Sequence, residues 1–354
     1  MIEAPPGTDL AGRMRHLIRT AVWQEALGRT SSVLLPLSDG RADRVPFYCV
    51  HALSGAGAVL TTLAEMLGPE QPFVAIQAPV PDRHAGFAGS IEAMARHYAE
   101  ALMQAQPAGR LALGGWSVGG VIALEMAQYL RARGRHDILL VNIDCELVNV
   151  AAAISRRNPL YYWKVAANFP KWLAYDLRDH DWRLRSVIRR FRNKFQALAR
   201  MARKRIAERR PAHGYAVDGF MDTSRFSADY RAFVRALYDA FYRYVPAAYA
   251  GPVVVFEASV QPVVHLRQVG ATWRRIAAPE IIPVTGTHES IIKAPDGLPL
   301  AAELRRRLAA FAAPAGAAVD VSRWPSPLAA PAPSPLAAPA PTPLAAPAPT
   351  PQPA

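Results

Sequence analysis

Residues 113–120 read LGGWSVGG, and Ser117 has one glycine two positions before it and another two positions after it. A short apolar run over residues 110–114 leads into this stretch. Apolar residues then follow the serine at helical spacing: Val121, Ile122, Leu124, Met126, Ala127 and Leu130. The pattern predicts a strand, a sharp turn and a helix.

Two glycines make such a turn sterically possible. Gly115 and Gly119 lack a Cβ, so the strand can contact the start of the helix while Ser117 adopts strained backbone angles. The Ser117 hydroxyl then projects above the sheet edge, beside the positive end of a helix dipole. We interpret Ser117 as a nucleophile, and a phosphate-binding or linker loop is the alternative for the bare G-x-S-x-G pattern.

Strand and helix patterns alternate between Asp9 and about Ala313. The apolar runs predict strands at residues 32–37, 45–51, 73–77, 111–115, 137–143, 252–258 and 280–284. The helical patterns cover residues 58–67, 90–106, 117–133 and 300–311. Alternating units of this length predict a mostly parallel sheet flanked by helices, with its chemistry at the carboxyl ends of the strands.

A serine hydroxyl attacks poorly at neutral pH unless a histidine takes its proton and a carboxylate orients that histidine. Asp144 stands at the carboxyl end of the predicted strand 137–143, and His288 follows the last predicted strand directly. The chain order Ser, Asp, His therefore predicts a triad of Ser117, Asp144 and His288. The rival candidates are Asp39, Asp43 and Asp137 for the carboxylate and His265 for the base.

A tetrahedral intermediate also needs two fixed backbone donors for its oxyanion. The run YCVHALSGAGAVL at residues 48–60 predicts a strand that enters a glycine-containing turn. We assign the two donors to the amides of Leu53 and Val118, with Gly55 and Gly57 letting the loop close. An ordinary strand-to-helix turn is the alternative.

Four blocks of the chain resemble a known family: residues 33–57, LALGGWSVGGVIALEMAQYL at 111–130, LLVNID at 139–144 and IIPVTGTHESII at 281–292. They are similar to the thioesterase domains that end nonribosomal peptide and polyketide synthases, and to the stand-alone relatives of those domains. The resemblance implies an α/β-hydrolase fold and a serine hydrolase. The usual H-P-x-G-G of this family is HALSG here, with Ala52 and Ser54 as the departures.

The resemblance implies release of an acyl or peptidyl chain held as a thioester on the phosphopantetheine arm of a carrier protein, by hydrolysis, cyclisation or transfer. No carrier signature occurs in these residues, so we expect the carrier protein in trans and the stand-alone form of the thioesterase. No metal and no cofactor of the enzyme itself is expected. A carboxylesterase or lipase of the same fold, and a non-catalytic interaction protein on a hydrolase body, are the alternative functions.

The segment between Asp144 and the strand at 252–258 is too long for a simple connection. Relatives carry a helical lid here, and we predict one at about residues 150–225. Residues 156–210 hold 17 Lys and Arg against 4 Asp and Glu, so this segment accounts for the whole formal net charge of +13. We assign carrier binding to this basic lid rather than nucleic-acid binding, with transient contact with an anionic membrane left open. The carrier-binding candidates are Arg189, Arg190, Arg192 and Lys194.

Composition sets the remaining expectations. The chain has 354 residues, 51% of them hydrophobic, and no run long enough to span a membrane. Cys49 and Cys145 lie in apolar runs and are expected to be buried thiols, and no signal-peptide hydrophobic region is present, so we expect a cytoplasmic protein. We predict a helical extension at 1–30, the hydrolase domain at 31–313 and a disordered Pro/Ala-rich repeat tail at 314–354.

Overall fold

The computed structural model describes residues 32–79, 87–150, 154, 158–178, 227–261 and 266–312. The predicted N-terminal extension, the predicted tail and most of the predicted lid lie outside these residues, and those three predictions stay untested. The residues that the structure describes all belong to the predicted hydrolase domain.

Seven strands form one sheet: β1 (Leu34–Ser38), β2 (Phe47–Val50), β3 (Phe73–Ile76), β4 (Leu111–Trp116), β5 (Ile138–Ile143), β6 (Val253–Ala258) and β7 (Glu280–Val284). Their spatial order is β1-β3-β2-β4-β5-β6-β7. β1 runs antiparallel to β3, and every other pair is parallel. The prediction of a mostly parallel sheet is confirmed.

The central strands form because their residues are apolar on both faces, as a sheet covered on both sides requires. In β2, Phe47 and Cys49 point into one apolar layer, whereas Tyr48 and Val50 point into the other. All four side chains are fully buried. Cys49 and Cys145 are both buried and free, as expected.

Seven helices lie in the described ranges: α1 (Thr61–Leu67), α2 (Ile91–Ala105), α3 (Val118–Arg131), α4 (Pro159–Arg178), α5 (Ala228–Arg243), α6 (Val269–Trp273) and α7 (Leu298–Phe311). The layer around Phe47 is completed by α1 and α7. The opposite layer is completed by α2, α3, α5 and α6. Helices thus flank both faces of the sheet, as predicted.

Two of these helices, α5 and α6, were not predicted from the sequence. The apolar stripe of α5 includes Phe233, Val234 and Leu237, and these side chains pack into the same core as α2 and α3. α5 is therefore part of the packed body, although it falls in the long segment between Asp144 and β6. In the described part of the predicted lid, α4 covers the aromatic stretch that begins at Pro159.

The turn between β4 and α3 has the geometry that LGGWSVGG predicts. Ser117 has φ 58° and ψ −135°. A Cβ on Gly115 would lie 2.1 Å from the carbonyl carbon and oxygen of Gly119, and a Cβ on Gly119 would lie 2.5 Å from the carbonyl oxygens of Val50 and His51. Both glycines are required because the atoms they approach are backbone atoms that cannot move aside.

A second constraint is a buried polar pair beside this turn. His51 is fully buried, and its Nε2 lies 2.7 Å from the Tyr98 hydroxyl in α2. Its Nδ1 lies 2.6 Å from the Ala52 carbonyl oxygen. A carbonyl only accepts, so Nδ1 carries the proton and donates, while Nε2 accepts from the tyrosine. Burial lowers the pKa of His51 to about 4, against the opposing effect of the bond to Ala52.

The glycine contact generates the first prediction. Gly119→Ala is expected to lower the free energy of unfolding by roughly 2 kcal/mol or more, because the new methyl group collides with the backbone at the end of β2. Gly89→Ala is the matched control, since nothing lies within 4 Å of a Cβ at that position. Urea unfolding of the two variants measures the difference, and equal stabilities would contradict the contact.

The His51 pair generates the second prediction. The unfolded chain binds a proton at His51 near pH ~6.5 and the folded chain only near pH 4, so this residue's contribution to stability is present above ~6.5 and is lost as the pH falls to 4. The loss amounts to about 3 kcal/mol over that window. Urea unfolding at several pH values should show a shallower pH dependence for His51→Gln than for the wild type, and parallel curves would refute the assignment.

Candidate active site

The structure brings Asp144 and His288 into direct contact. Asp144 follows β5 and is only 1% exposed, and its Oδ2 accepts a 2.8 Å hydrogen bond from His288 Nδ1. The other carboxylate oxygen accepts from the Ala258 amide at 2.9 Å. The bond to Asp144 places the proton on Nδ1 of a neutral His288, so Nε2 is left as a proton acceptor.

Ser117 and Asp144 occupy neighbouring positions at the same edge of the sheet. Ser117 follows β4, and its amide donates to the carbonyl of Ile143, the residue before Asp144, at 3.1 Å. Within the described residues, Ser117 and Asp144 are the non-glycine residues with a positive φ, 58° and 50° respectively. Such backbone strain persists where the surrounding structure enforces it, and it concentrates at functional sites.

Trp116 connects the Ser117 turn to the His288 loop. Its Nε1 donates to the His288 carbonyl oxygen at 3.0 Å, and the centroids of the two rings lie 5.4 Å apart. Among the hydrogen bonds of the described residues, none joins Ser117 to His288. Two of the predicted triad members are therefore in direct contact, and the third is held beside them through its chain neighbour.

The loop after β7 fixes His288 from both sides. The Thr287 amide donates to the Ser290 hydroxyl at 2.9 Å, and the Gly286 carbonyl accepts from the Val260 amide at 3.0 Å. Burial lowers the pKa of His288, the positive charge of Arg267 lowers it further, and Asp144 opposes both effects. The ring is thus kept in its neutral form to a lower pH than an exposed histidine.

The predicted oxyanion donors lie on two segments that touch. The start of α3 packs on the end of β2 through Gly119, which brings Val118 near the loop that holds Leu53. The Ala52 carbonyl accepts from His51 Nδ1 at 2.6 Å and from the Gly55 amide at 3.0 Å. In a trans peptide the N–H points opposite to the C=O of the same peptide group. The Leu53 N–H therefore points opposite to the Ala52 carbonyl, away from this turn.

The two amides share a lack of hydrogen-bond partners within the described residues. In the part of the chain that the structure describes, no hydrogen bond uses the N–H of Leu53 or of Val118. Gly55 has φ +77°, and a Cβ there would lie 2.8 Å from the Phe233 ring, so the turn needs this glycine. The oxyanion-hole assignment stays a prediction.

Three contacts of the Asp144 region were not predicted from the sequence. Arg267 Nη1 donates to Asp144 Oδ2 at 3.1 Å. The carbonyl of Cys145 accepts from Trp273 Nε1 at 2.8 Å and from Asn142 Nδ2 at 3.2 Å, which holds the turn that follows Asp144. The tryptophan and the arginine come from a segment more than a hundred residues further along the chain, so no local pattern indicates them.

The rival candidates lie elsewhere. Asp43 forms an exposed ion pair with Arg41, and Asp137 precedes β5 at the opposite edge of the sheet. His265 and the four basic carrier-binding candidates, Arg189, Arg190, Arg192 and Lys194, lie outside the described residues. In the described ranges, no group of three or more His, Cys, Asp and Glu side chains is placed to hold a metal ion. No helix in those ranges has both the length and the apolar character to cross a bilayer.

Residues 45–212 match the family model of the thioesterase domain. Malpinin synthetase of Mortierella alpina is 33% identical over 144 residues, which is 41% of this chain and 2% of that protein. The chain therefore spans only a small part of the length of the curated relatives that it matches.

Two solved structures share the fold. One is YbtT, a type II thioesterase from the yersiniabactin NRPS/PKS biosynthetic pathway, at 15% identity and a TM-score of 0.51, with 80% of this chain and 100% of that chain covered. The other is a four-domain nonribosomal peptide synthetase bound to AMP and glycine, at 22% identity and a TM-score of 0.52, with 83% and 21% covered. Residues 45–212 are thus similar to thioesterase domains, and the described fold is the α/β-hydrolase fold of these solved structures.

Proposed function

We propose that the domain releases an acyl or peptidyl chain from the phosphopantetheine arm of a carrier protein through an acyl-enzyme on Ser117. The observation that carries this proposal is the 2.8 Å hydrogen bond between Asp144 and His288 at the sheet edge where the strained Ser117 lies. The match of residues 45–212 to the thioesterase domain supports a thioester as the substrate.

Acylation begins when the Ser117 hydroxyl oxygen attacks the thioester carbonyl carbon. His288 Nε2 takes the serine proton, and Asp144 stabilises the imidazolium that forms. The amides of Leu53 and Val118 donate to the developing oxyanion. The C–S bond then breaks, the pantetheine sulfur leaves with the proton from His288, and the acyl group stays as an ester on Ser117.

Deacylation repeats these steps with a different nucleophile. Water, a nucleophile within the acyl chain, or an external acceptor gives its proton to His288 and attacks the ester carbonyl. Collapse of the second intermediate returns the proton to the Ser117 oxygen and releases an acid, a ring or a transferred acyl group. The missing Ser117–His288 hydrogen bond is compatible with this chemistry, since catalytic hydrogen bonds often tighten only with substrate bound.

We assign binding of the carrier protein to the basic segment over residues 156–210. Its excess of 13 positive charges suits an acidic carrier and the phosphate of the pantetheine arm. The described start of this segment, α4, presents exposed aromatic side chains at Tyr162 and Trp163, 63% and 67% exposed. Aromatic and basic side chains together are typical of a surface that receives a protein partner.

The third prediction tests the nucleophile. Ser117→Ala is expected to lower the turnover of a small acyl-pantetheine thioester by roughly 10⁶-fold, because the proposed acyl-enzyme forms on the Ser117 oxygen that this change removes. Intact-protein mass spectrometry after exposure to acyl-loaded carrier should show the acyl mass on the wild type and none on the variant. Turnover within tenfold of the wild type would end the proposal.

Two further variants serve as controls for the same test. His288→Ala should approach the loss seen for Ser117→Ala, and Asp144→Asn should lose as much or less, because it removes only the orienting carboxylate. An oxygen ester with the same acyl chain distinguishes a thioesterase from a carboxylesterase. Faster turnover of the oxygen ester than of the thioester supports a carboxylesterase. No turnover of either substrate by the folded wild type supports an interaction protein.

The fourth prediction concerns the carrier. Charge reversal is made by substituting Glu for Arg189, Arg190, Arg192 and Lys194. This variant should raise KM for carrier-bound substrate by about tenfold or more and remove most of the salt dependence of KM. The reason is that charges on a binding surface act mainly on the encounter of the two proteins and are screened within ~10 Å at ~0.1 M salt. The same variant should hydrolyse a small uncharged thioester at the wild-type rate. Steady-state kinetics over a salt series measures both.

Neutralisation of the same four residues to Gln is the graded control, and it should give a smaller rise in KM. An equal loss of activity on the carrier-bound and the small thioester would indicate that the segment supports the structure or binds the acyl chain. No loss on either would leave it a solvated basic surface. Salt-sensitive binding of duplex DNA that the reversal abolishes would favour the interaction protein.

A further inference from the structure

The carboxylate of Asp144 has more partners than the predicted triad requires. Its Oδ2 accepts from His288 Nδ1 at 2.8 Å and also from Arg267 Nη1 at 3.1 Å. The carboxylate is 1% exposed and the Arg267 side chain 20% exposed. Asp144 Oδ2 is thus shared by two donors. One is the His288 ring, which would become positively charged in the transition state, and the other is the permanently charged guanidinium of Arg267.

The segment that holds Arg267 is tied to the chain around Asp144. The amide of Gln268 donates to Glu146 Oε1 at 2.8 Å. The Gln268 side chain accepts from the Ile154 amide at 2.8 Å and donates to the Ile154 carbonyl at 3.0 Å. Two residues past Arg267, α6 begins at Val269 and is packed in the core. The backbone next to Arg267 is therefore fixed near Asp144 by contacts on the C-terminal side of this residue.

The charged groups that act on His288 come from three segments. Asp144 after β5 and Glu289 in the same loop favour the protonated ring, whereas Arg267 before α6 disfavours it. Glu257 interacts electrostatically with Asp144 and Glu146, accepts from the Gly270 amide, and has its pKa raised chiefly by burial. Among the residues that the structure describes, Arg267 is therefore the cation that opposes protonation of His288.

We propose that Arg267 is a positioning residue of this site, which holds the Asp144 carboxylate against His288 and keeps the ring neutral, as a proton acceptor, in mildly acidic conditions. The catalytic consequence of this inference rests on the proposed function. The positioning of Asp144 by Arg267 rests only on the two hydrogen bonds that Asp144 Oδ2 accepts. An arginine that only compensates a buried carboxylate would affect stability and leave the ring's protonation unchanged.

The experiment compares Arg267→Gln, which removes the charge, with Arg267→Lys, which keeps it. The pH dependence of kcat/KM on a small thioester is measured, together with the imidazole titration of His288 by NMR, assigned with His288→Gln. In Arg267→Gln the acid limb of the kcat/KM profile should move to higher pH, because His288 then becomes protonated more easily. The ratio of kcat/KM at pH 6 to that at pH 8 should fall about threefold or more. Arg267→Lys should restore most of the difference.

Arg274→Gln is the matched control, because Arg274 is an exposed arginine one residue past α6, and its pH profile should overlay the wild type. If Arg267→Gln does not fold, Arg267→Met is the second neutral variant and is judged in the same way. An unmoved His288 titration in a folded neutral variant, with any loss of rate equal at all pH values, overturns the inference. Full activity of Ser117→Ala would overturn the proposed function instead, and the NMR titration would still test Arg267.

Discussion

The close approach of Gly115 to Gly119 is the contact on which the rest of the site depends. A Cβ on either glycine would overlap backbone atoms, so the end of β4 and the first turn of α3 can meet only without side chains. That contact forces Ser117 to a positive φ and brings the start of α3 against the end of β2. The predicted nucleophile and both predicted oxyanion donors are thereby placed by one steric condition.

The parallel sheet supplies the remaining positions. β4, β5 and β6 run side by side in the same direction, so the residues that follow them meet at one edge. Asp144 follows β5 and contacts the Ala258 amide at the end of β6, while His288 reaches it from the loop after β7. Side chains separated by 144 residues in the sequence therefore come within hydrogen-bond distance.

The sequence predicts the seven strands to within two residues because the central strands are buried on both faces and read as continuous apolar runs. The strained turn at Ser117 is equally predictable, since its glycines are local. The helix α5 has an apolar stripe of helical spacing and could have been predicted, but it lies in the segment that we interpreted mainly as an insertion. Arg267 and Trp273 were beyond prediction, because their contacts with residues 144 and 145 are long-range and have no periodic signal.

The unpredicted contacts determine the electrostatics of the site. A carboxylate as buried as Asp144 requires donors, and here an amide, an imidazole and a guanidinium supply them. In the proposed mechanism, the positive charge of Arg267 at the shared oxygen weakens the attraction between Asp144 and a protonated His288. This effect would cost transition-state stabilisation, and it would also favour the neutral ring in the resting state. The optimum for a general base lies where these two effects balance at the working pH. In the proposed mechanism, Arg267 therefore takes part in setting the pH range in which His288 can accept the Ser117 proton, although it lies outside the loops that hold the three predicted triad residues.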